Sequence, residues 1–489
     1  MRAQLKRLTS DTAVYGLSSI LGRFLNFLLV PLYTNVFSSS DYGLVAPIYS
    51  YLAFLAIIVP CGMESAYMRF VSTLEAGSKK QTFSTPFWIV LIAALVAAVC
   101  IHLFSGSISP VLQLKTEWST MVPLCAWTIA IDAICVIPFS SLRMDNKSKR
   151  FALIRFSSIL LTVLLNVWFI AILHMSIVSI FIAGAAGSLL SLILLLPTIL
   201  RHAELAISSP LLKALLKVGL PTIPAGIAGM MVQVIDRPIM LYLRDATTSG
   251  IYQANYKLGI FMMLFVSMFQ YAWQPFYLQT AKEQGAPKLF ARVMTYFMLI
   301  GIFIFISLTL FIEPLLHISF WGYHLLGKEY WPGIQIVPII LLGYLFTGIG
   351  VIFSAGLLIQ KKTTYMPVVM GTSALVNVVV NFSLIPSLGI VGAALATLAS
   401  YIIMAMLYWF FTNKIYPVPY EYGRLAKLIC AAALPVIIFF SGWNPISDYD
   451  LIWRFVLLTS FPILLFLFRF FETNEFNGMR ELLRKIKFA

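Results

Sequence analysis

The chain has 489 residues, of which 60% are hydrophobic and 11% are charged, and its formal net charge is +15. Its mean hydropathy of +0.91 lies far outside the range of soluble domains, so a soluble fold is excluded. The positive charge is spread over one side of the predicted membrane protein, so it does not indicate a nucleic-acid partner.

Apolar runs long enough to cross roughly 30 Å of hydrocarbon follow one another almost without pause. We therefore predict an all-α integral membrane protein with about 14 transmembrane helices. The predicted spans are 12–37, 42–71, 83–104, 120–142, 151–173, 176–200, 211–243, 250–278, 290–312, 333–359, 365–385, 389–411, 425–440 and 451–471.

The first run follows a basic start and lacks a small-residue cleavage site behind a short apolar core. A retained helix is therefore predicted rather than a signal peptide. The cysteines lie inside apolar runs without paired spacing or partner histidines, which favours small core residues over disulfides or a metal site. They are Cys61, Cys100, Cys125, Cys135 and Cys430.

Lysines and arginines are concentrated in alternate loops, which predicts the orientation of the helices. By the positive-inside rule both termini lie in the cytoplasm, and an even number of spans agrees with this. Beyond the last span, residues 472–489 place apolar and basic side chains on opposite faces, which predicts a short amphipathic helix on the anionic inner leaflet. If each loop takes the number of the span before it, the even-numbered loops carry the basic residues. These are Lys79, Lys80, Arg143, Lys147, Lys149, Arg150, Arg201, Lys213, Lys217, Lys282, Lys288, Arg292, Lys361, Lys362, Arg424 and Lys427.

Two distant parts of the chain repeat each other. The matched positions, each pair 207 residues apart (250 − 43 = 207), are Pro31 with Pro238, Gly43 with Gly250 and Tyr49 with Tyr256. Six spans separate the copies, so both run in the same direction, which predicts a parallel repeat of two six-helix lobes around a central cavity. We assign residues 1–200 to the N-terminal lobe, 201–217 to a cytoplasmic linker, 218–412 to the C-terminal lobe and 413–471 to two further helices.

Polar side chains form stripes on the helices of the two lobes that would face this cavity. An ionisable group near the centre of a bilayer costs about 2.5–3.5 kcal/mol, so it normally faces a partner or a wet cavity. Arginine offers a planar fork of donors and lysine a mobile charge, and both suit a diphosphate. The predicted substrate-binding residues of these stripes are Arg23 and Asn26 in span one, Gln233 and Arg237 in span seven, and Gln253 and Lys257 in span eight.

Three acids and two asparagines are further candidates. Asp236, Asp132 and Glu64 are candidate sites for a coupling ion, but Asp236 could form a structural ion pair with Lys257 or Arg237, and Asp132 a structural hydrogen bond. Asn377 and Asn381, one helical turn apart, could bind sugars or hold two membrane helices together.

Short motifs occur in a characteristic order up to about residue 410. They are VYGLSSILGR at 14–23, LVPLYT at 29–34, DYG at 41–43, GMESAYMRF at 62–70, VGLPTIP at 218–224, IDR at 235–237, GIY at 250–252, YKL at 256–258, LIP at 384–386 and GIVGAA at 389–394. Their order resembles that of the polysaccharide and O-antigen flippases of the multidrug/oligosaccharidyl-lipid/polysaccharide exporter superfamily.

The resemblance implies export of a polyprenyl-diphosphate-linked oligosaccharide, an O-antigen, capsule or exopolysaccharide repeat unit, across a bacterial cytoplasmic membrane by alternating access. Glycan polymerase or assembly proteins and anionic lipids are then the expected partners. No P-loop is present, and neither an enzyme nor a cofactor is predicted.

Three alternatives remain open at this point. A cation-coupled multidrug exporter would need an acidic or aromatic cavity. A peptidoglycan-precursor flippase would share the cationic cavity. A non-transporting scaffold of a glycan assembly complex would need no buried charge.

Overall fold

The computed structural model of the protein describes residues 16, 20–73, 79–205, 207–320, 322–472 and 475. Within these ranges the only strands are the short antiparallel pair β1 (Ser319–Phe320) and β2 (Tyr323–His324). The helices are α1 (Ile20–Val36), α2 (Ser39–Ile58), α3 (Met63–Thr73), α4 (Lys79–Leu103), α5 (Ser105–Val111), α6 (Met121–Met144), α7 (Ser148–Val167), α8 (Val178–His202), α9 (Ser209–Gly219), α10 (Thr222–Val234), α11 (Asp236–Leu243), α12 (Ala246–Tyr256), α13 (Ile260–Thr280), α14 (Ala286–His317), α15 (Val337–Ile359), α16 (Tyr365–Leu388), α17 (Ile390–Ile415), α18 (Tyr422–Phe440) and α19 (Asp450–Leu467).

The predicted all-α membrane fold is confirmed. In the described ranges, 12 helical stretches are long and apolar enough to cross a membrane. The remaining two predicted spans are the shorter apolar helix α1 and the pair α12–α13, which the 3₁₀ turn Lys257–Gly259 joins. The predicted amphipathic tail lies outside the described residues except for Glu472 and Glu475.

Because successive spans alternate in direction, the loops collect at two ends of the bundle. We call the end that carries Lys80, Lys147, Arg201 and Lys361 the basic end, and the other the opposite end. One apolar core contains residues of both halves of the chain, and its members from the N-terminal lobe lie toward the opposite end. A separate core fills the basic half of the N-terminal lobe. The two lobes are thus joined most extensively at the opposite end.

The lobes meet at the two glycines of the sequence repeat. A Cβ atom on Gly43 of α2 would lie 1.7 Å from the carbonyl oxygen of Ala246, and one on Gly250 of α12 would lie 2.0 Å from that of Ser39. Ser39 and Ala246 are themselves 207 positions apart (246 − 39 = 207), so the contact is symmetric about the axis that relates the lobes. Only glycine permits so close an approach of the two backbones.

Hydrogen bonds from the long loop before α15 close the same end. The Tyr330 hydroxyl donates to the Phe37 carbonyl at 2.8 Å, and the Ser39 hydroxyl donates to a Glu329 carboxylate oxygen at 2.5 Å. The Ser249 hydroxyl of α12 donates to the Gly43 carbonyl at 2.9 Å. We call this set of contacts the gate, defined by Phe37, Ser39, Gly43, Ala246, Ser249, Gly250, Glu329 and Tyr330.

Two spans are broken where the lobes touch again nearer the basic end. The Pro60–Cys61–Gly62 segment separates α2 from α3, with φ of +67° at Gly62. Leu220 and Pro221 form the break between α9 and α10. A Cβ atom on Gly62 would lie 2.1 Å from the Gly219 carbonyl oxygen, so the two breaks pack directly on each other.

The region predicted as a linker is largely helical. Helix α8 continues to His202 and α9 starts at Ser209, with Leu211 and Leu215 buried against the N-terminal lobe. The lobe boundaries at residues 200 and 218 remain our proposal.

The last two spans pack on α14, and Arg454 of α19 ties them to it. This side chain is 7% exposed and donates to Asp450, to the Leu310 carbonyl and to Glu313 at 2.6, 2.5 and 2.8 Å.

We expect Arg454→Ala to lower the free energy of unfolding by about 1–3 kcal/mol, because these acceptors lose their donor. Thermal unfolding of the purified protein would show a lower midpoint for this variant than for the exposed control Arg201→Ala. Equal midpoints would contradict the assigned role.

The segment after α19 is held at the basic end by ion pairs. Arg424 of α18 contacts Glu475 at 2.9 Å, and Arg292 contacts Glu472 at 2.9 Å. Partial burial favours a raised pKa for Glu475, but hydrogen bonds from Tyr296 and the Glu472 backbone, together with the Arg424 guanidinium, hold that pKa below its ordinary value.

Candidate functional site

Five of the predicted substrate-binding residues line one cavity. It has a volume of about 250 Å³ and lies between α1, α11 and the α12–α13 junction, on the basic side of the gate. We call it the cation pocket. Its lining consists of Arg23, Asn26, Phe27, Arg237, Gln253, Tyr256, Lys257, Ile260, Met263 and Tyr344.

Arg237 is fixed in the wall of this pocket. Its Nε donates to the Gln253 side-chain oxygen at 2.7 Å and its Nη1 to the Gln233 carbonyl at 2.9 Å. The guanidinium also lies over the Tyr256 ring, 4.8 Å from its centroid. These contacts leave the fork oriented before any ligand arrives, which reduces the entropy lost on binding.

Lys257 and Arg23 have no acidic partner in the part of the chain that the structure describes. Among the described residues, no carboxylate oxygen lies within 4 Å of either side chain. The Lys257 ammonium faces the rings of Tyr33 and Tyr42, at 5.9 and 5.6 Å from their centroids. Arg23 is exposed to the cavity and donates to the Ser267 hydroxyl at 2.8 Å. Two uncompensated cations inside a membrane protein indicate a site for an anion.

Asp236 lies behind the pocket rather than in it. It is 2% exposed, and its two oxygens accept from the Arg237 backbone N–H at 3.0 Å and the Tyr252 hydroxyl at 2.5 Å. The Arg237 guanidinium is 3.9 Å away, a long separation for an ion pair. Lys257 forms no ion pair with it in the described part of the chain. Asp236 therefore neutralises only part of the positive charge around the pocket.

The two other candidate acids belong to the N-terminal lobe. Asp132 lines a separate cavity of about 310 Å³ together with Tyr49 and Ser188, and Arg155 acts on it electrostatically. Glu64 forms a 2.6 Å ion pair with Arg143. Neither acid reaches the cation pocket, so any ion that they bind would act on that pocket indirectly.

Asn377 and Asn381 lie away from both the cation pocket and the larger cavity beside it. They are 1% and 0% exposed, inside the interface of α16 and α17. Asn377 donates to the Ser400 hydroxyl at 3.2 Å, and Asn381 donates to the Asn377 carbonyl at 2.8 Å. Neither cavity reaches them in this conformation, where their contacts are those of helix packing, so their contact with a sugar stays a prediction.

The larger cavity contains residues that the sequence analysis did not select. It has a volume of about 500 Å³ and includes Gln233, which was predicted, beside Ser267, Gln270 and Gln274 of α13. The spacing of these three α13 positions places them on one helical face. The signal was therefore present in the sequence, but Gln270 and Gln274 carry no charge and lie among aromatic residues.

The sequence matches the model of a known protein family. The model of the polysaccharide biosynthesis protein family matches residues 8–281, which is more than half of the chain. The chain belongs to the polysaccharide biosynthesis protein family. No curated protein matches this family member in sequence.

Solved structures share its fold at low sequence identity. A structure described as the lipid II flippase MurJ in an inward closed conformation is 16% identical with a TM-score of 0.75, and the match covers 94% of this chain and 99% of that one. An inward-facing multidrug resistance MATE transporter is 14% identical with a TM-score of 0.59, covering 80% and 94%. A transporter from Pyrococcus furiosus, described as a member of the MOP superfamily, is 14% identical with a TM-score of 0.59, and the match covers 83% of this chain and 95% of that one. These structures confirm the predicted fold, and family and fold together support a flippase or exporter.

Proposed function

We propose that the protein is a flippase that moves a polyprenyl-diphosphate-linked oligosaccharide from the cytoplasmic to the outer leaflet of a bacterial inner membrane. The polysaccharide biosynthesis family and the transporter fold support this class of activity. The observation that supports an anionic substrate is the cation pocket. There Arg23 and Lys257 lack acidic partners among the described residues, and Arg237 is already oriented. A diphosphate would supply the missing negative charge.

The direction of loading follows from the gate. The basic end corresponds to the cytoplasm by the positive-inside rule. The gate seals the opposite end, while Arg23, Asn26 and Gln233 are exposed inside the molecule. This arrangement supports a carrier that receives its substrate from the cytoplasmic side and releases it when the gate opens.

A multidrug exporter is the less favoured alternative. One of the structural neighbours is a MATE multidrug transporter. The described lining includes aromatic rings, which a cationic drug could use, but it also contains three cations and no acid, and these cations would repel such a drug. The charge of the pocket therefore favours an anionic substrate.

Gene deletion in the organism that carries the chain tests the proposal. Loss of a surface polysaccharide with accumulation of its lipid-linked precursor on the cytoplasmic leaflet is the expected result. Arrested peptidoglycan synthesis would instead identify a precursor flippase of the lipid II type. Intact surface glycan with increased sensitivity to cationic drugs would identify a drug exporter.

We also propose that a cation or the membrane potential resets the empty carrier, with Asp236 or Asp132 as the coupling group. In vesicles, collapse of one of the proton, sodium or electrical gradients should slow transport severalfold. Asp236→Asn or Asp132→Asn should then reduce the dependence on that same gradient, while Glu283→Gln, an exposed acid that lines none of these cavities, serves as the control. Transport that is indifferent to all three gradients would rule out the coupling.

A further inference from the structure

The cation pocket continues into the larger cavity, which has a different chemistry. The two share Arg23, Met263 and Tyr344 in their linings. Helix α13 runs from the gate toward the basic end, and its residues from Met263 to Tyr277 line the larger cavity along that direction. The larger cavity therefore lies between the cation pocket and the cytoplasmic end. Its volume of about 500 Å³ falls within the range of small-molecule sites, ~300–1,000 Å³.

Three amide side chains point to a polar ligand there. Gln233, Gln270 and Gln274 are exposed to the cavity, and their amide groups form no hydrogen bond with any part of the chain that the structure describes. An amide left without a partner inside a membrane protein is costly, so these groups require water or a ligand. Each amide presents both a donor and an acceptor, which is what a sugar hydroxyl needs.

The cavity is neutral beyond its border with the cation pocket. Within the described ranges, its lining contains no carboxylate, lysine or histidine, and Arg23 at the shared boundary is its one permanent charge. Charged substituents on a ligand would therefore find no counter-charge deeper in the cavity, and their desolvation would oppose binding.

Aromatic rings supply the remaining recognition surface. Trp273, Tyr277, Tyr344, Tyr401 and Tyr408 all contribute to the lining. A pyranose ring has an apolar face of C–H groups that packs on such rings, while its hydroxyls bond to polar groups at the edge. Amides combined with aromatic rings thus match an uncharged carbohydrate better than a peptide or a lipid tail.

We propose that this cavity is a glycan chamber, which holds uncharged sugars while the cation pocket holds the diphosphate to which they are attached. The inference rests on the proposed flippase function and names its substrate class. The sugars nearest the diphosphate are neutral, and a uronic acid or a peptide substituent at these positions is disfavoured. Arg23 belongs to both sites and marks the place of the phosphate–sugar linkage.

Binding to the purified full-length protein in nanodiscs tests the chamber with three probes. They are a polyprenyl diphosphate without sugar, the same lipid with a neutral disaccharide, and the same lipid with a uronic acid in the disaccharide. The wild type should bind the neutral glycolipid about tenfold or more tightly than the sugarless lipid, since several hydrogen bonds are added. The uronic acid probe should bind no more tightly than the sugarless lipid.

The double variant Gln270→Ala/Gln274→Ala should lose this tenfold gain and still bind the sugarless lipid as the wild type does, which also shows that it is folded. Gln279→Ala, on the same helix but outside the cavity lining, is the matched control and should keep the gain. Unchanged binding of the neutral glycolipid to the double variant would overturn the chamber, as would wild-type protein that does not distinguish the neutral glycolipid from the sugarless lipid. If instead the sugarless lipid binds no better than a zwitterionic lipid and Arg237→Ala has no effect, the flippase proposal itself fails.

Discussion

Replacing Arg23 and Arg237 together by alanine should reduce surface-glycan export by at least about 100-fold, because each charge-assisted hydrogen bond to a phosphate contributes ~1.5–3 kcal/mol. The protein should still reach the membrane at normal levels, because each guanidinium bonds to a neutral side chain of a neighbouring helix beside a cavity, whereas the buried Arg454 bonds to two carboxylates and a carbonyl. Quantification of surface glycan, normalised to membrane protein, measures the effect.

The matched controls separate charge from geometry. Lys361→Ala removes a cation at the basic end that lies outside both cavities, and it should leave export unchanged. Arg237→Lys keeps the charge but cannot donate to the Gln253 oxygen and to a phosphate with the same planar fork, so it should restore export only in part. Normal amounts of surface glycan together with normal protein levels in the double alanine variant would contradict the binding of a diphosphate by these arginines.

The second large effect is expected at the gate. Gly43→Ala places a methyl group 1.7 Å from the Ala246 carbonyl oxygen, so the two backbones must separate. A penalty of about 1–3 kcal/mol for overpacking shifts the ratio of closed to open gate by about 5- to 150-fold. We expect slow transport and a pocket that becomes accessible from outside the cell. A cysteine at Asn26 should react faster with an impermeant maleimide added outside.

Two further glycines complete this experiment. Gly250→Ala should have the same effect, because its methyl group would meet the Ser39 carbonyl oxygen at 2.0 Å in the symmetric contact. Gly371→Ala points into open space and should change neither labelling nor transport. Equal labelling of Asn26→Cys in the wild-type, Gly43→Ala, Gly250→Ala and Gly371→Ala backgrounds would show that the glycine contact does not control access to the cation pocket.

Much of this architecture was predictable because hydropathy and repeats report directly on membrane folds. The spacing of Gly43 and Gly250 predicted two similar lobes, although it did not show that the two glycines would touch each other. That contact depends on the tilt of α2 against α12, which local sequence does not encode. The charged stripes were also predictive, since Arg23, Arg237 and Lys257 share one pocket.

Some polar residues lie where the sequence did not place them, because their environment depends on helix rotation. Asn377 and Asn381 carry the same polar groups as Gln233 and Gln253, but the α16–α17 interface buries them. Conversely, Gln270 and Gln274 lie in a span rich in aromatic residues, yet their helix turns them toward the cavity. A single sequence specifies which face of a helix is polar, and the packing of neighbouring helices then decides which polar faces enclose water.

Transport by the purified protein in liposomes tests the central claim most directly. A polyprenyl-diphosphate oligosaccharide with a fluorescent label on its glycan would be incorporated into both leaflets, and quenching from outside would report its distribution over time. We expect wild-type protein to exchange the lipid between leaflets, and vesicles with the Arg23→Ala/Arg237→Ala variant to show no more exchange than protein-free vesicles. Exchange by the variant at the wild-type rate would contradict the role of the two arginines. Wild-type protein that transports a cationic dye but does not exchange the lipid would contradict the flippase proposal.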